Sequence, residues 1–173
     1  MDRESYSALV TRGLVVFAAG GEWLAAPVEE VAGMMDADHL APIPGRGSPM
    51  AGVVAFRGGV VPALDLPAAL GAEESAPAQR YAIVLERGTD RFALLVSGMP
   101  RLVPARDLVL REHADPDADP AEPGAAGTAR GDEPVVLATY EVAGRDVRYL
   151  DYWSLMDTVA PPAAFRLGGL GGR

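Results

Sequence analysis

The chain has 173 residues and is 49% hydrophobic, enough apolar content for one compact domain or two small, intimate ones. Its formal net charge is −9 and every basic residue is arginine, so phosphate backbones and anionic membrane surfaces repel it and nucleic acid is disfavoured as a partner. The absence of cysteine excludes disulfides, thiolate zinc sites and iron–sulfur clusters, while the lack of a long apolar run or a signal-like start at Met1–Ser5 leads to the expectation of a cytoplasmic protein with no direct membrane insertion.

In chain order, residues 1–12 read as a polar, flexible lead-in. Residues 14–19 and 22–28 are two apolar strands about Gly20-Gly21, a hairpin. Glu29–Met35 is open between a continued strand and a helical turn. The prolines of Leu40–Gly45 forbid helix there. Pro49–Phe56 reads as one helical turn leading into a strand, Arg57-Gly58-Gly59 as a tight turn, and Val60–Leu64 as the next strand. Pro67–Gly71 is a short helix with a glycine C-cap. Residues 72–79 form a polar linker. Strands follow at 80–86, 90–96 and 101–103, with Ser97-Gly98-Met99-Pro100 between the last two and a turn at Pro104–Leu108. Residues 112–134 are an acidic, Pro/Ala/Gly-rich loop, expected to be mobile. Strands at 135–142 and 146–151 precede a last short helix from Ser154, and 159–173 form a flexible tail.

One pattern occurs twice. Val15–Val28 parallels Ile83–Val96, each an apolar strand, a glycine turn and a second apolar strand. Downstream of each lies a turn, a short strand and Leu-Asp: Gly58–Leu66 ending in Leu64-Asp65, and Gly144–Tyr152 ending in Leu150-Asp151. Many short strands, glycine turns and no long amphipathic helix predict an all-β protein of small barrels. The repeat predicts a single domain over 13–158 with related halves at 13–71 and 80–158.

Constellations that carry chemistry are sparse. The two histidines, His39 and His113, have no second ligand at metal spacing, so no metal site is expected. Asp115, Asp117, Asp119 and Glu122 alternate as in a calcium loop, but the glycine and the bidentate acid that such a loop requires are replaced by Pro120 and Ala126. Asp65 and Asp151 hold equivalent places in the repeat. They lack the hydroxyl and glycine neighbours of an aspartic-protease dyad and read instead as caps of the helical turns that follow. Gly45–Gly52 lacks the Lys-Ser/Thr ending of a phosphate loop, and no Gly-x-Ser-x-Gly elbow exists. Neither catalysis nor a cofactor is expected.

Taken together, Phe17–Val31, Ile43-Pro44-Gly45, Gly52–Leu66, Phe92–Met99 and Leu150-Asp151 resemble the CheW family of chemotaxis coupling proteins. The most specific stretch is Gly52–Leu66, similar to the family's Gly-Val-x-Asn-Leu-Arg-Gly-x-x-x-Pro-x-x-Asp-Leu. The resemblance implies two intertwined five-stranded β-barrels of SH3-like form, with short helices. It implies no catalytic step, and two partners: the cytoplasmic tip of a chemoreceptor and the regulatory domain of a CheA-type histidine kinase. Carried over position by position, it places Val28, Val31, Arg57, Val96, Gly98 and Met99 along a receptor-facing groove, with Gly58, Asp65 and Asp151 in structural roles. On packing grounds Val28 and Val96 also read as barrel core. The chain departs from the family at Ala55, at Gly33 where an acid is common, and over residues 138–143. A module that binds only the kinase, or a partner in another motility or signalling pathway, is the alternative; a small-molecule-binding barrel or an enzyme is a third.

Overall fold

The structure, a computed structural model, describes residues 12–38, 40–43, 49–72, 80–113 and 134–159. Most of the expected lead-in and tail, His39, residues 44–48, the linker at 73–79 and the acidic loop from 114 to 133 lie outside the described residues.

Ten strands and two short α-helices make up the described chain. They are β1 (Gly13–Ala19), β2 (Glu22–Pro27), β3 (Val31–Asp36), β4 (Met50–Phe56), β5 (Gly59–Asp65), α1 (Leu66–Ala69), β6 (Arg80–Arg87), β7 (Asp90–Pro104), β8 (Val109–His113), β9 (Val136–Val142), β10 (Arg145–Leu150) and α2 (Tyr152–Val159). Single 3-10 turns at Val28–Glu30 and Ala105–Asp107 join β2 to β3 and β7 to β8. Two expectations need correction. The segments 90–96 and 101–103 are one strand, β7, and residues 112 and 113, expected to start the loop, end a strand over Val109–His113.

Local chemistry sets the hairpins. Four of them close with two-residue turns, between Ala19 and Glu22, Phe56 and Gly59, Arg87 and Asp90, and Val142 and Arg145. Such turns match strand twist when their central residues take positive φ. Gly20 and Gly21 do so freely, at 60° and 81°. Ala143 is held at 51° before Gly144 at 76°, a conformation that costs an ordinary residue roughly 1 kcal/mol. Ala143→Asn is therefore expected to raise stability by about 0.5–1 kcal/mol, because asparagine tolerates this region. A urea melt checks it.

The strands interleave. Each Leu-Asp strand pairs in parallel with the second strand of the other copy's hairpin: β5 with β7, Ala63 opposite Ala93, and β10 with β2, Arg148 opposite Leu24. The strand after each hairpin likewise crosses over. β3 pairs with β6, and the second half of β7 pairs with β1. Strands β3, β6, β5 and β4 thus gather about the first half of β7, and β1, β2, β10, β9 and β8 follow from its second half. The turn between these halves is a bulge. Val16 faces Arg101 and Ala18 faces Ser97, so Gly98, Met99 and Pro100 together oppose Phe17, with Gly98 at φ 67°.

The expectation of closed barrels is corrected here. The ten strands form one continuous sheet with β3 and β8 at the ends of its main path, and the ladder does not close. The seam between β3 and β4 is instead bridged by side chains, described below. β7 is shared, so the two groups fuse into a single sheet, and that sheet stays open because β3 pairs only with β6 and β4 only with β5 among the named strands.

Two apolar clusters fill the fold. Val54, Phe56, Val61, Ala63, Ala82, Val84, Ala93 and Leu95 form the smaller. The larger takes the opposite faces of β6 and β7, with Ile83, Leu85, Phe92, Leu94 and Val96, and joins them to Leu14, Phe17, Leu24, Tyr149 and Tyr152. Both central strands are buried on both sides, which is why their sequences are unbroken apolar runs. The hydroxyl of Tyr152 donates to the buried carbonyl of Ala25 at 2.8 Å. Burial pushes the Tyr152 phenol well above its ordinary 10.0, and burial also raises that of Tyr140. A raised phenol contributes stability that is intact below its unfolded value and lost as pH rises toward the folded one. Stability should therefore fall above about pH 10. Tyr152→Phe should cost about 1–2 kcal/mol at neutral pH and soften the alkaline decline, read by melts across pH 7 to about 11.

Candidate functional site

The β4–β5 turn carries an arginine that no core requirement explains. Arg57 and Gly58 occupy the turn at φ 48° and 77°, and both are exposed. For Gly58 this conformation is free, and an added Cβ would meet nothing within 4 Å. For Arg57 it is strained by roughly 1 kcal/mol. The guanidinium lies over the Phe56 ring, 4.9 Å from its centroid, and Nη2 donates to the Ala32 carbonyl at 2.9 Å. Arg57 therefore spans the open seam between β4 and β3.

Gly33 completes that seam. A Cβ there would sit 2.8 Å from the Phe56 ring. The missing acid at position 33 is thus explained locally, since the ring occupies the space a side chain would need. Arg57 is held by a backbone carbonyl and its neighbouring ring.

Val28 and Val31 lie on the same stretch, at the two ends of the 3-10 turn. Both are half-buried, packed on the larger core with one side open. Arg57 reaches this stretch only at the Ala32 carbonyl, the residue after Val31; the valines pack on the larger cluster, whereas Phe56 beneath Arg57 and Ala32 belong to the smaller. Val96 is different: it is 1% exposed and belongs to the larger core, so it has no surface to offer a partner. Gly98 and Met99 sit at the β7 bulge. Val31 pairs with Leu85, which pairs with Phe92, whereas Met99 lies past the Arg80–Ser97 pair at the other end of that ladder. Met99 is 73% exposed, an apolar side chain carried outward by the bulge.

Asp65 and Asp151 act on the backbone. Asp65 caps α1, its Oδ1 accepting from the Ala68 amide at 3.3 Å, and its Oδ2 accepts from Arg80 at 2.9 Å. Asp151 caps α2 by accepting from the amide and the hydroxyl of Ser154, at 3.1 and 2.7 Å. The two carboxylates are engaged in separate caps.

Sequence reasoning missed a cluster behind Val28 and Val31. Glu30, between them, is the one buried charged residue among the described residues, at 6% exposure. Its Oε1 accepts from Arg87 at 2.7 Å and its Oε2 from the indole N–H of Trp153 at 3.2 Å. Arg87 lies over the Trp153 ring at 4.7 Å, and that ring meets Phe92 edge-on, with centroids 4.8 Å apart. The only signal for it in the sequence is an acid inside an apolar stretch, which ordinarily means a solvated side chain.

Among the described residues, no group of three or more His, Cys, Asp or Glu side chains is placed to hold a metal ion. Among the same residues, no helix is long and apolar enough to cross a membrane.

Comparison with known proteins adds three findings. The structure is similar to the crystal structure of the scaffolding protein TtCheW from Thermoanaerobacter tengcongensis, with a TM-score of 0.62 and 15% sequence identity over 81% of this chain and 88% of that one. At that identity the likeness speaks to the fold. No curated protein matches the chain. The CheW-like domain matches residues 13–159, most of the chain, over the same repeat, hairpins and capped Leu-Asp strands described above. The chain therefore belongs to the CheW-like domain family, among the adaptors and scaffolds of chemotaxis signal transduction.

Proposed function

We propose that the chain is a non-catalytic coupling adaptor of a chemosensory array, working in the cytoplasm. In this reading Val28, Val31 and Arg57 receive the helical hairpin at the tip of a chemoreceptor, and a separate surface binds the regulatory domain of a CheA-type histidine kinase. The observation that carries the reading is Arg57. It is an exposed cation kept on a strained turn and tied, through the Ala32 carbonyl, to the strand that begins at half-open Val31, and strain retained at the surface points to function. A helix docks by laying apolar side chains against such a strip, and an arginine at its rim adds a directional polar contact. Met99 supplies a second, adaptable apolar contact at the bend of β7.

A second reading keeps only the kinase partner. Gly33 favours it, because the seam lacks the acid common in the family and Arg57 turns to Ala32. One experiment separates the two. Receptor-tip hairpins are immobilised and the kinase regulatory domain is passed over them with and without this chain. Retention of the kinase only when the chain is present is the adaptor result. Capture of the chain by kinase but not by receptor is the kinase-only result.

A further inference from the structure

We infer that Glu30 is a positioning residue for the Val28–Val31 strip, and that α2 reaches that strip through Trp153; the inference rests on the adaptor reading. The 3-10 turn that carries the strip has little to hold it from within. It spans three residues, its N-cap makes no side-chain hydrogen bond, and its C-cap N–H returns to the Val28 carbonyl. Two carboxylates tie it to the rest of the chain: exposed Glu29, which accepts from the Arg12 amide at 2.8 Å, and, from behind, buried Glu30. Glu30 divides its two oxygens between Arg87, at the end of β6, and Trp153, in the first turn of α2. These partners lie 57 and 123 residues away along the chain, so the strip's orientation depends on elements remote in sequence. A carboxylate so enclosed keeps its place only while both donors are met.

The indole is held on two sides, under the Arg87 guanidinium and against the Phe92 ring. A partner pressing on Val28 and Val31 therefore turns Glu30 and changes the surroundings of Trp153. The chain has two tryptophans, and the other, Trp23, stands under Arg145 at the start of β2, away from this cluster. Trp23→Phe leaves Trp153 as the reporter without touching the strip.

The test is a fluorescence titration of Trp23→Phe protein with a receptor-tip helical hairpin. The expected result is a saturable shift of Trp153 emission. In the same background Glu30→Ala should weaken binding at least about tenfold, and Glu30→Gln, which keeps an acceptor for the indole, should recover most of it. A purely structural Glu30 would not move the emission on binding. Saturable binding with unchanged emission would overturn the inference, and that measurement needs no change in the cluster, so it stands even if Glu30→Ala fails to fold. Wild-type protein that binds no hairpin would overturn the receptor arm of the adaptor reading, and the inference with it.

Discussion

Arg87→Met is expected to lower stability by about 3–5 kcal/mol, far more than Glu30→Gln, although both break the same ion pair. The asymmetry follows from burial. The Arg87 side chain is 55% exposed and that of Glu30 only 8%. Removing the carboxylate's charge leaves an arginine that turns to water, and the glutamine oxygen still accepts from Trp153, so the cost is about 1 kcal/mol. Removing the arginine strands a charge inside the protein with a single neutral donor. Arg87→Met also loses the cation over the indole, a smaller term of about 1 kcal/mol. The double variant Arg87→Met/Glu30→Gln should recover a large part of the loss, because the stranded charge is gone. Denaturant melts of the three variants at neutral pH check this. Equal losses in the two single variants would show that Glu30 is effectively solvated.

Arg57→Glu is expected to cut receptor-hairpin affinity by about 30-fold or more, some 2 kcal/mol, and to leave kinase binding unchanged. Its effect on folding should stay within about 1 kcal/mol, since the bond to Ala32 is exposed and the turn keeps its shape. Arg57→Gly is the sharper control. Glycine takes φ 48° without strain, so this variant should fold as well as the wild type or better, while binding the hairpin as poorly as Arg57→Glu. Gained or retained stability with lost binding is the signature of a residue kept for function. Unchanged binding in both variants would assign Arg57 to closing the β3–β4 seam and nothing more.

Much of the fold was legible because its determinants are local. Gly20-Gly21, Gly58, Gly88 and Gly144 announce the hairpin turns, and apolar runs announce the strands between them. The caps at Asp65 and Asp151 follow from a carboxylate placed just before a helical turn. What stayed hidden depends on partners distant in sequence. Gly98 and Pro100 look like the end of a strand, yet β1 pairs past them and makes β7 a single bent strand. Val109–His113 has no convincing alternation, and β9 alone makes it a strand. Whether the sheet closes depends on which edges meet, and local patterning does not carry that information. Val96 sits in a run buried on both faces, where alternation no longer distinguishes core from surface. Glu30 inverts the ordinary rule for a charge, and its donors lie at positions 87 and 153. That Arg57 lies outside the core was readable, because an arginine in a two-residue turn is not a core residue; its contacts with Phe56 and the Ala32 carbonyl were not.

The adaptor account is tested most directly by calorimetric titration of the purified chain with the regulatory domain of the CheA-type kinase from the same organism. The account predicts saturable binding in the micromolar range, about −8 kcal/mol, with the same affinity for Arg57→Glu. No saturable heat at concentrations up to about 1 mM would contradict it, since an adaptor without its kinase couples nothing.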